Sequence, residues 1–135
     1  MMLPIRLYGG RVPVIKENPM QYMLLIYLNG AELAELDKAD HAKLHQEYTA
    51  FTDSLKKNGQ YMANNGLAPA AKAKSVRVKN GKAVTTDGPF VETRELLAGY
   101  YLVEAKDMDE ALGLAERIPG ARHGGVEVRP LWSNG

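Results

Sequence analysis

Gln21-Tyr22-Met23-Leu24-Leu25-Ile26-Tyr27-Leu28 is apolar at every position after its first residue. Alternate residues of a strand point to opposite faces, and a half-buried antiparallel strand shows one polar face. This one has none, so it reads as a strand covered on both sides. Gly99-Tyr100-Tyr101-Leu102-Val103-Glu104-Ala105 repeats the pattern late in the chain. Between and beyond these two runs lie helical and turn signals. Leu44, Tyr48, Phe51 and Leu55 recur at helical steps and form one apolar stripe, with Lys43, Glu47, Asp53 and Lys57 elsewhere on that surface. Gly59 supplies its C-terminal stop. Asp107 and Glu110 form an Asp-x-x-Glu capping box for a second helix, expected to bury Met108, Ala111, Leu112, Ala115 and Ile118 before Pro119-Gly120.

Four further strands complete the order. Tyr61 to Leu67 reads as an irregular strand interrupted by Asn64-Asn65-Gly66, and Val126 to Leu131 alternates Val126 and Val128 with Glu127 and Arg129. Ser75 to Lys79 and Lys82 to Thr86 flank Asn80-Gly81, the strongest short hairpin signal, because both turn positions need positive φ. The sequence therefore predicts an α+β fold of the ferredoxin-like, split βαβ plan with an inserted β-hairpin. Two helices cover only one face of such a sheet. Because its central strands are apolar on both faces, the other face needs a partner, and a second copy of the chain is the economical one.

Composition narrows the function classes. The 135 residues fit one domain, with 45% hydrophobic and 24% charged residues as in ordinary soluble proteins. The absence of cysteine removes disulfides, thiolate nucleophiles and Cys-ligated zinc. A net charge of +1 argues against a general nucleic-acid binder. No apolar run approaches a membrane span, so neither membrane nor export is expected and the address is cytoplasmic. Residues 1–19, with Pro4, Pro13, Pro19 and Gly9-Gly10, lack hydrophobic periodicity. They read as an N-terminal extension of unassigned role, preceding a single domain at residues 20–135.

Thr86-Asp87-Gly88-Pro89-Phe90-Val91-Glu92-Thr93-Arg94-Glu95 resembles the signature of the DGPF branch of the YCII-related proteins. Gln21 to Tyr27, Tyr48-Thr49-Ala50-Phe51, Gly99-Tyr100-Tyr101-Leu102-Val103, Asp109-Glu110-Ala111, Arg117-Ile118-Pro119 and Val126-Glu127-Val128-Arg129-Pro130 also match in order. The resemblance spans nearly all of Met20 to Leu131. It implies a dimeric α+β barrel, and a cleft in which related proteins carry a His and an Asp. DGPF members are often encoded beside extracytoplasmic-function sigma factors, which implies a regulatory setting. This chain departs from the pattern. Tyr48 stands where the YCII branch carries its first-helix His, and Asn65 stands where many DGPF relatives have Glu. Tyrosine with a depressed pKa can donate a proton, but it does not replace imidazole as a near-neutral base.

Among individual residues, Asp87 is the leading candidate for a general base or polar anchor, against the ordinary role of an Asx residue capping its turn. Tyr48 is the candidate acid or positioning residue. Glu92 and Arg94 share a face of an extended segment and are candidates to bind an acidic or amide group, where a solvated surface pair is the ordinary outcome. Tyr100 and Tyr101 point to opposite sheet faces, so one should line the inter-sheet cavity. Asn65 completes the candidate ligand contacts. Gly88 and Pro89 set the approach of Asp87, and Phe90 is expected as a core plug. His41 and His45 have the spacing of a two-ligand metal face, but Ala42 replaces the Glu of H-E-x-x-H, so no metal is assigned and both read as surface residues. His123 is placed in a loop before the last strand. The expected function is cofactor-free acid–base chemistry on a small molecule in the barrel cleft. The competing readings are a non-catalytic ligand-binding or regulatory protein, and a dimer surface that serves assembly alone.

Overall fold

A computed structural model of the protein describes residues 20–91 and 93–132. The extension at residues 1–19 and the side chain of Glu92 therefore lie outside the described residues. Strand β1 (Met20–Asn29) is central and pairs antiparallel with both β5 (Glu95–Ala105) and β6 (Gly124–Pro130). Strand β2 (Tyr61–Gly66) borders β5 on its other side, giving the order β2-β5-β1-β6. The two strands that read as apolar on both faces are the two interior ones. Those with polar alternation or an Asn-Asn-Gly interruption are the edges.

The hairpin is separate from this sheet. Strands β3 (Lys74–Lys79) and β4 (Lys82–Asp87) pair only with each other and connect β2 to β5. Asn80 and Gly81 both adopt positive φ, 52° and 78°, as the tight turn requires.

Helix α1 (Gly30–Ala34) follows β1 directly, within a polar stretch. Asn29 caps it by accepting from the Glu32 amide at 3.1 Å. Helix α2 (Lys38–Lys57) starts six residues before the apolar stripe begins, because Asp37 and Asp40 form a reciprocal capping box. Lys56 and Lys57 complement its C-terminal dipole, and Gly59 at φ 73° ends it. Helix α3 (Met108–Glu116) is capped by Asp107, which accepts from the Glu110 amide at 2.8 Å. Only half of the expected box forms there. The Glu110 carboxylate turns to the Lys106 amide and to Gln60, tying the helix to the end of α2.

Tyr22, Leu24 and Ile26 of β1 join Tyr101, Val103 and Ala105 of β5 beneath Phe51 and Leu55 of α2 and Ala111, Leu114 and Ala115 of α3. Leu24, Leu55, Val103 and Ile118 are the largest side chains buried completely, each contributing about 1.5–3 kcal/mol by leaving water. Phe51 meets Tyr101 edge-on, with ring centroids 5.2 Å apart. Met108 and Leu112, expected in this core, are exposed instead. The α3 stripe that faces the sheet runs through 111, 114, 115 and 118, and helical geometry turns 108 and 112 to its flank. The opposite sheet face carries Met23, Leu25, Tyr27, Tyr100 and Leu102, all half-buried and none part of the core cluster.

Candidate functional site

A cavity of about 670 Å³ opens between α2 and the β2–β5 side of the covered face. One wall is α2, which contributes His45, Tyr48, Thr49, Thr52, Asp53 and Lys56. Apart from Tyr48, which belongs to the apolar stripe, these positions form a second helical row beside it, so the same helix packs the core with one stripe and borders a polar space with the next. Ile26 and Leu28 of β1, Asn64 and Asn65 of β2 and residues 98–101 of β5 complete it. Gly99 lies across from Ile26 on the covered face and places no side chain there. Its backbone approaches β2 so closely that a Cβ would sit 2.9 Å from the Asn65 carbonyl oxygen.

Tyr48 is fixed from behind. Its hydroxyl oxygen accepts the Gly120 amide at 3.1 Å, from the turn of 3₁₀ helix at Pro119–His123. A Cβ on Gly120 would fall on that hydroxyl and lie 2.9 Å from Leu28 Cδ2, so glycine alone lets the backbone reach the phenol. Burial raises the Tyr48 pKa, with the Gly120 hydrogen bond opposing in part. The depressed value expected of a readily ionised tyrosine is not what its surroundings create, because desolvation disfavours the phenolate. Tyr101 is raised by burial too, and shares a 2.7 Å hydrogen bond with Thr52 Oγ1.

The candidate residues fall into three places. Tyr48, Tyr101, Tyr100 and Asn65 all border the cavity beneath α2. Asn65 Nδ2 donates to the Tyr100 hydroxyl at 3.0 Å, the two being cross-strand partners. By strand alternation Tyr101 belongs to the helix-covered face and Tyr100 to the opposite one. Arg94 borders a second, mostly apolar groove of about 1090 Å³, with Tyr27, Leu67, Phe90, Val91 and Leu97. Its proposed pairing with Glu92 lies outside the described residues.

Asp87 occupies the third place and borders neither space. It is the last residue of β4, its side chain is 86% exposed, and it forms an ion pair with Lys74 Nζ at 2.7 Å. The turn after it is held by backbone contacts. Gly88, at φ 91°, donates its amide to the Ala73 carbonyl at 2.7 Å, and Ser75 Oγ donates to the Gly88 carbonyl at 2.6 Å. Phe90, expected inside the core, is 61% exposed, with the Arg77 guanidinium 4.5 Å above its ring. The hairpin stands apart from the main sheet, so the residues at its base cannot reach the core beneath α2.

Of the histidines, His45 borders the cavity, whereas His41 does not. Among the described residues no three metal-ligating side chains gather. His123 Nδ1 lies 3.0 Å from Glu32 Oε1. Thr49, Thr52, Asp53 and Lys56 are not among the residues the sequence singles out, although each has another member of the row that begins at His45 three or four positions away. That row is legible in the sequence, but its residues are ordinary for a solvated helix surface.

No helix of the described residues is long and apolar enough to cross a membrane. A solved structure of 5-chloro-2-hydroxyhydroquinone dehydrochlorinase from Burkholderia phenoliruptrix AC1100, complexed with 2,5-dihydroxybenzoquinone, is similar in fold. The TM-score is 0.51 at 13% identity, covering 86% of this chain and 96% of that one. An uncharacterised protein of Rhizobium meliloti (strain 1021) is 31% identical over 114 residues, which cover 83% of this chain and 92% of the relative. The YCII-related domain model matches residues 20–133, and the protein is accordingly a member of the YCII-related family.

Proposed function

We propose that this protein is an acid–base enzyme that takes a small molecule into the cavity beneath α2, with Tyr48 giving a proton and His45 receiving one. The observation that carries the proposal is the gathering of His45, Tyr48, Thr52, Asp53 and Lys56 around one space. Its volume lies within the roughly 300–1,000 Å³ usual for small-molecule sites. The imidazole missing at position 48 has a counterpart one turn earlier on the same wall. Imidazole is the side-chain type suited to exchanging protons near neutrality. Side chains alone move the protons in this scheme, so it invokes no cofactor. Tyr101 is assigned as a ligand contact in this cavity, whereas Tyr100 and Asn65, whose side chains meet on the opposite sheet face, are ligand contacts only for a molecule held between two copies. The fold likeness to a dehydrochlorinase with a bound quinone supports a small oxygenated ligand at the level of fold only.

The proposal includes a cytoplasmic homodimer. The half-buried face bearing Met23, Leu25, Tyr27 and Leu102 supports pairing of two ferredoxin-like sheets into an α+β barrel. Proton transfer by Asp87, or ligand contact by Glu92 and Arg94, belongs to this scheme only for a molecule held between two copies. Leu25→Asp should turn a sedimenting dimer into a monomer. A wild-type chain that sediments as a single subunit at micromolar concentration removes the dimer.

A thermal-shift screen against small carbonyl and hydroxy-aromatic compounds tests the catalytic reading, since ligands of the folded state raise the melting temperature. Hits should be converted by the wild type and bound but left unconverted by His45→Gln. Conversion unchanged in both His45→Gln and Tyr48→Phe would refute the assignment. A second reading is favoured by one observation. A tyrosine held by a backbone amide, with its pKa raised by burial, suits a permanent donor in a non-catalytic, regulatory binding site. Recovery of every hit unchanged after prolonged incubation would select that reading.

A further inference from the structure

We infer that the cavity beneath α2 selects a hydrogen-bond acceptor, seating a carbonyl, enolate or phenolate oxygen of a small oxygenated molecule on the Tyr48 hydroxyl. The inference rests on the proposal that this cavity is the ligand site, and it adds the chemistry of the ligand. A phenol hydroxyl carries one hydrogen to give and accepts at its oxygen. Gly120 contributes an amide N–H, which has no way to accept, so its 3.1 Å bond to Tyr48 fixes the direction of donation. The tyrosine oxygen takes the backbone hydrogen, and its own hydrogen is left for another partner. Among the described residues no acceptor takes it. Any side chain at position 120 would collide with the hydroxyl, so the turn keeps this polarity in place.

The neighbouring groups share the bias. Thr52 Oγ1 and the Tyr101 hydroxyl are 2.7 Å apart, and whichever donates, one hydrogen is consumed and one remains. Asn64 has its carbonyl oxygen occupied by the Tyr61 hydroxyl at 2.7 Å, which leaves its amide hydrogens to give. Lys56 stands on the same wall with its ammonium 5.0 Å from the Tyr61 ring centroid, and Asp53 and the His45 imidazole are the opposing acceptors. Donors thus outnumber acceptors around the space. A ligand offering oxygen lone pairs meets partners there, whereas one offering only hydrogens, or only apolar surface, leaves the donors desolvated without partners.

The probes are 4-nitrophenolate and nitrobenzene, which share the ring and the nitro group and differ in the phenolate oxygen. Binding is followed by ¹⁵N–¹H NMR on the full chain, at a pH where the phenol is ionised. The phenolate should bind at least tenfold tighter, and it should move the Gly120 amide resonance together with those of residues 45–56. Tyr48→Phe should weaken phenolate binding roughly ten- to a hundredfold, as loss of a hydrogen bond to a charged group does, while nitrobenzene binding stays within about twofold. Thr52→Val, which leaves the Gly120 contact untouched, should weaken the phenolate less and guards against a Tyr48→Phe chain that folds poorly. Equal binding of both probes, or phenolate binding indifferent to both substitutions, would overturn the acceptor preference while the shifts at 45–56 still mark the site. If neither probe shifts any resonance in 45–56, the cavity as ligand site fails, and this inference fails with it.

Discussion

The cavity beneath α2 and the hairpin arm with its Asp87-Gly88-Pro89-Phe90 turn are built in opposite ways. In the cavity, side chains are tied to one another and to backbone across long stretches of sequence, Tyr48 to Gly120 and Tyr101 to Thr52. In the arm the cross-links lie at its base, from the Gly88 amide to Ala73 and from the buried Ser75 hydroxyl to the Gly88 carbonyl, and the strand residues beyond are exposed. Val78 is 71% exposed and Asp87 more so. The most recognisable motif of the sequence therefore lies outside the polar space beneath α2. Its Gly and Pro set a chain path, and its Asp87 carboxylate is paired with Lys74. The arm also gathers charge. Residues 72–87 hold five cations and one carboxylate within a chain of net charge +1, so the rest of the folded domain is acidic.

Substitutions in the two regions should separate sharply. Tyr101→Ala removes a buried ring that packs on Phe51 and bonds Thr52, and should lower unfolding free energy by about 3–5 kcal/mol in urea titrations. Val78→Ala on the arm should stay within about 0.5 kcal/mol in the same assay. Equal losses at the two positions would mean that the arm is buried in solution, against a second copy or otherwise.

Tyr48→Phe should cost about 1–3 kcal/mol, because the buried Gly120 amide loses its acceptor. Gly120→Ala should destabilise the wild type, and it should do so less in the Tyr48→Phe background, where the added methyl no longer meets a hydroxyl. Additive losses in that double-mutant cycle would show that the collision does not govern the turn.

Alkaline titration sharpens the contrast. Burial raises Tyr48 and Tyr101 above the ordinary tyrosine value of 10.0, so above that pH the unfolded chain releases phenol protons that the folded chain retains. Stability from this source is complete below pH 10, and falls as pH rises through the folded-state values. Tyr48→Phe should make the decline above pH 10 shallower. Unfolding curves of identical slope in the two proteins would contradict the raised pKa. The smallest effect is reserved for Asp87→Asn, which breaks an exposed ion pair worth at most about 1 kcal/mol and should matter less as salt is added.

Much of the architecture was legible. Asn80-Gly81 announced the hairpin, the doubly apolar runs at 22–28 and 99–105 marked the interior strands, and Leu44, Tyr48, Phe51 and Leu55 oriented α2. Local signals sufficed because each of these choices is made by neighbours in sequence. The start of α2 was legible too, in Asp37 and Asp40, but the polar composition around them masked it. The site was harder to read. Tyr48 and Tyr101 were recognised as candidates, yet what they touch depends on Gly120 and Thr52, which lie 72 and 49 residues away. A glycine chosen for the approach of another side chain looks in sequence like a glycine chosen for a turn. His45 and Asp53 look like solvated helix residues until β2 and β5 are brought opposite them.

The most direct test of the account is to map where small molecules bind, by following every backbone amide through a fragment library screened on the wild-type chain. Perturbations concentrated in 45–56, 64–66, 98–101 and at Gly120 are the predicted result. Perturbations concentrated in 85–94, with α2 unmoved, would contradict it and return the chemistry to Asp87.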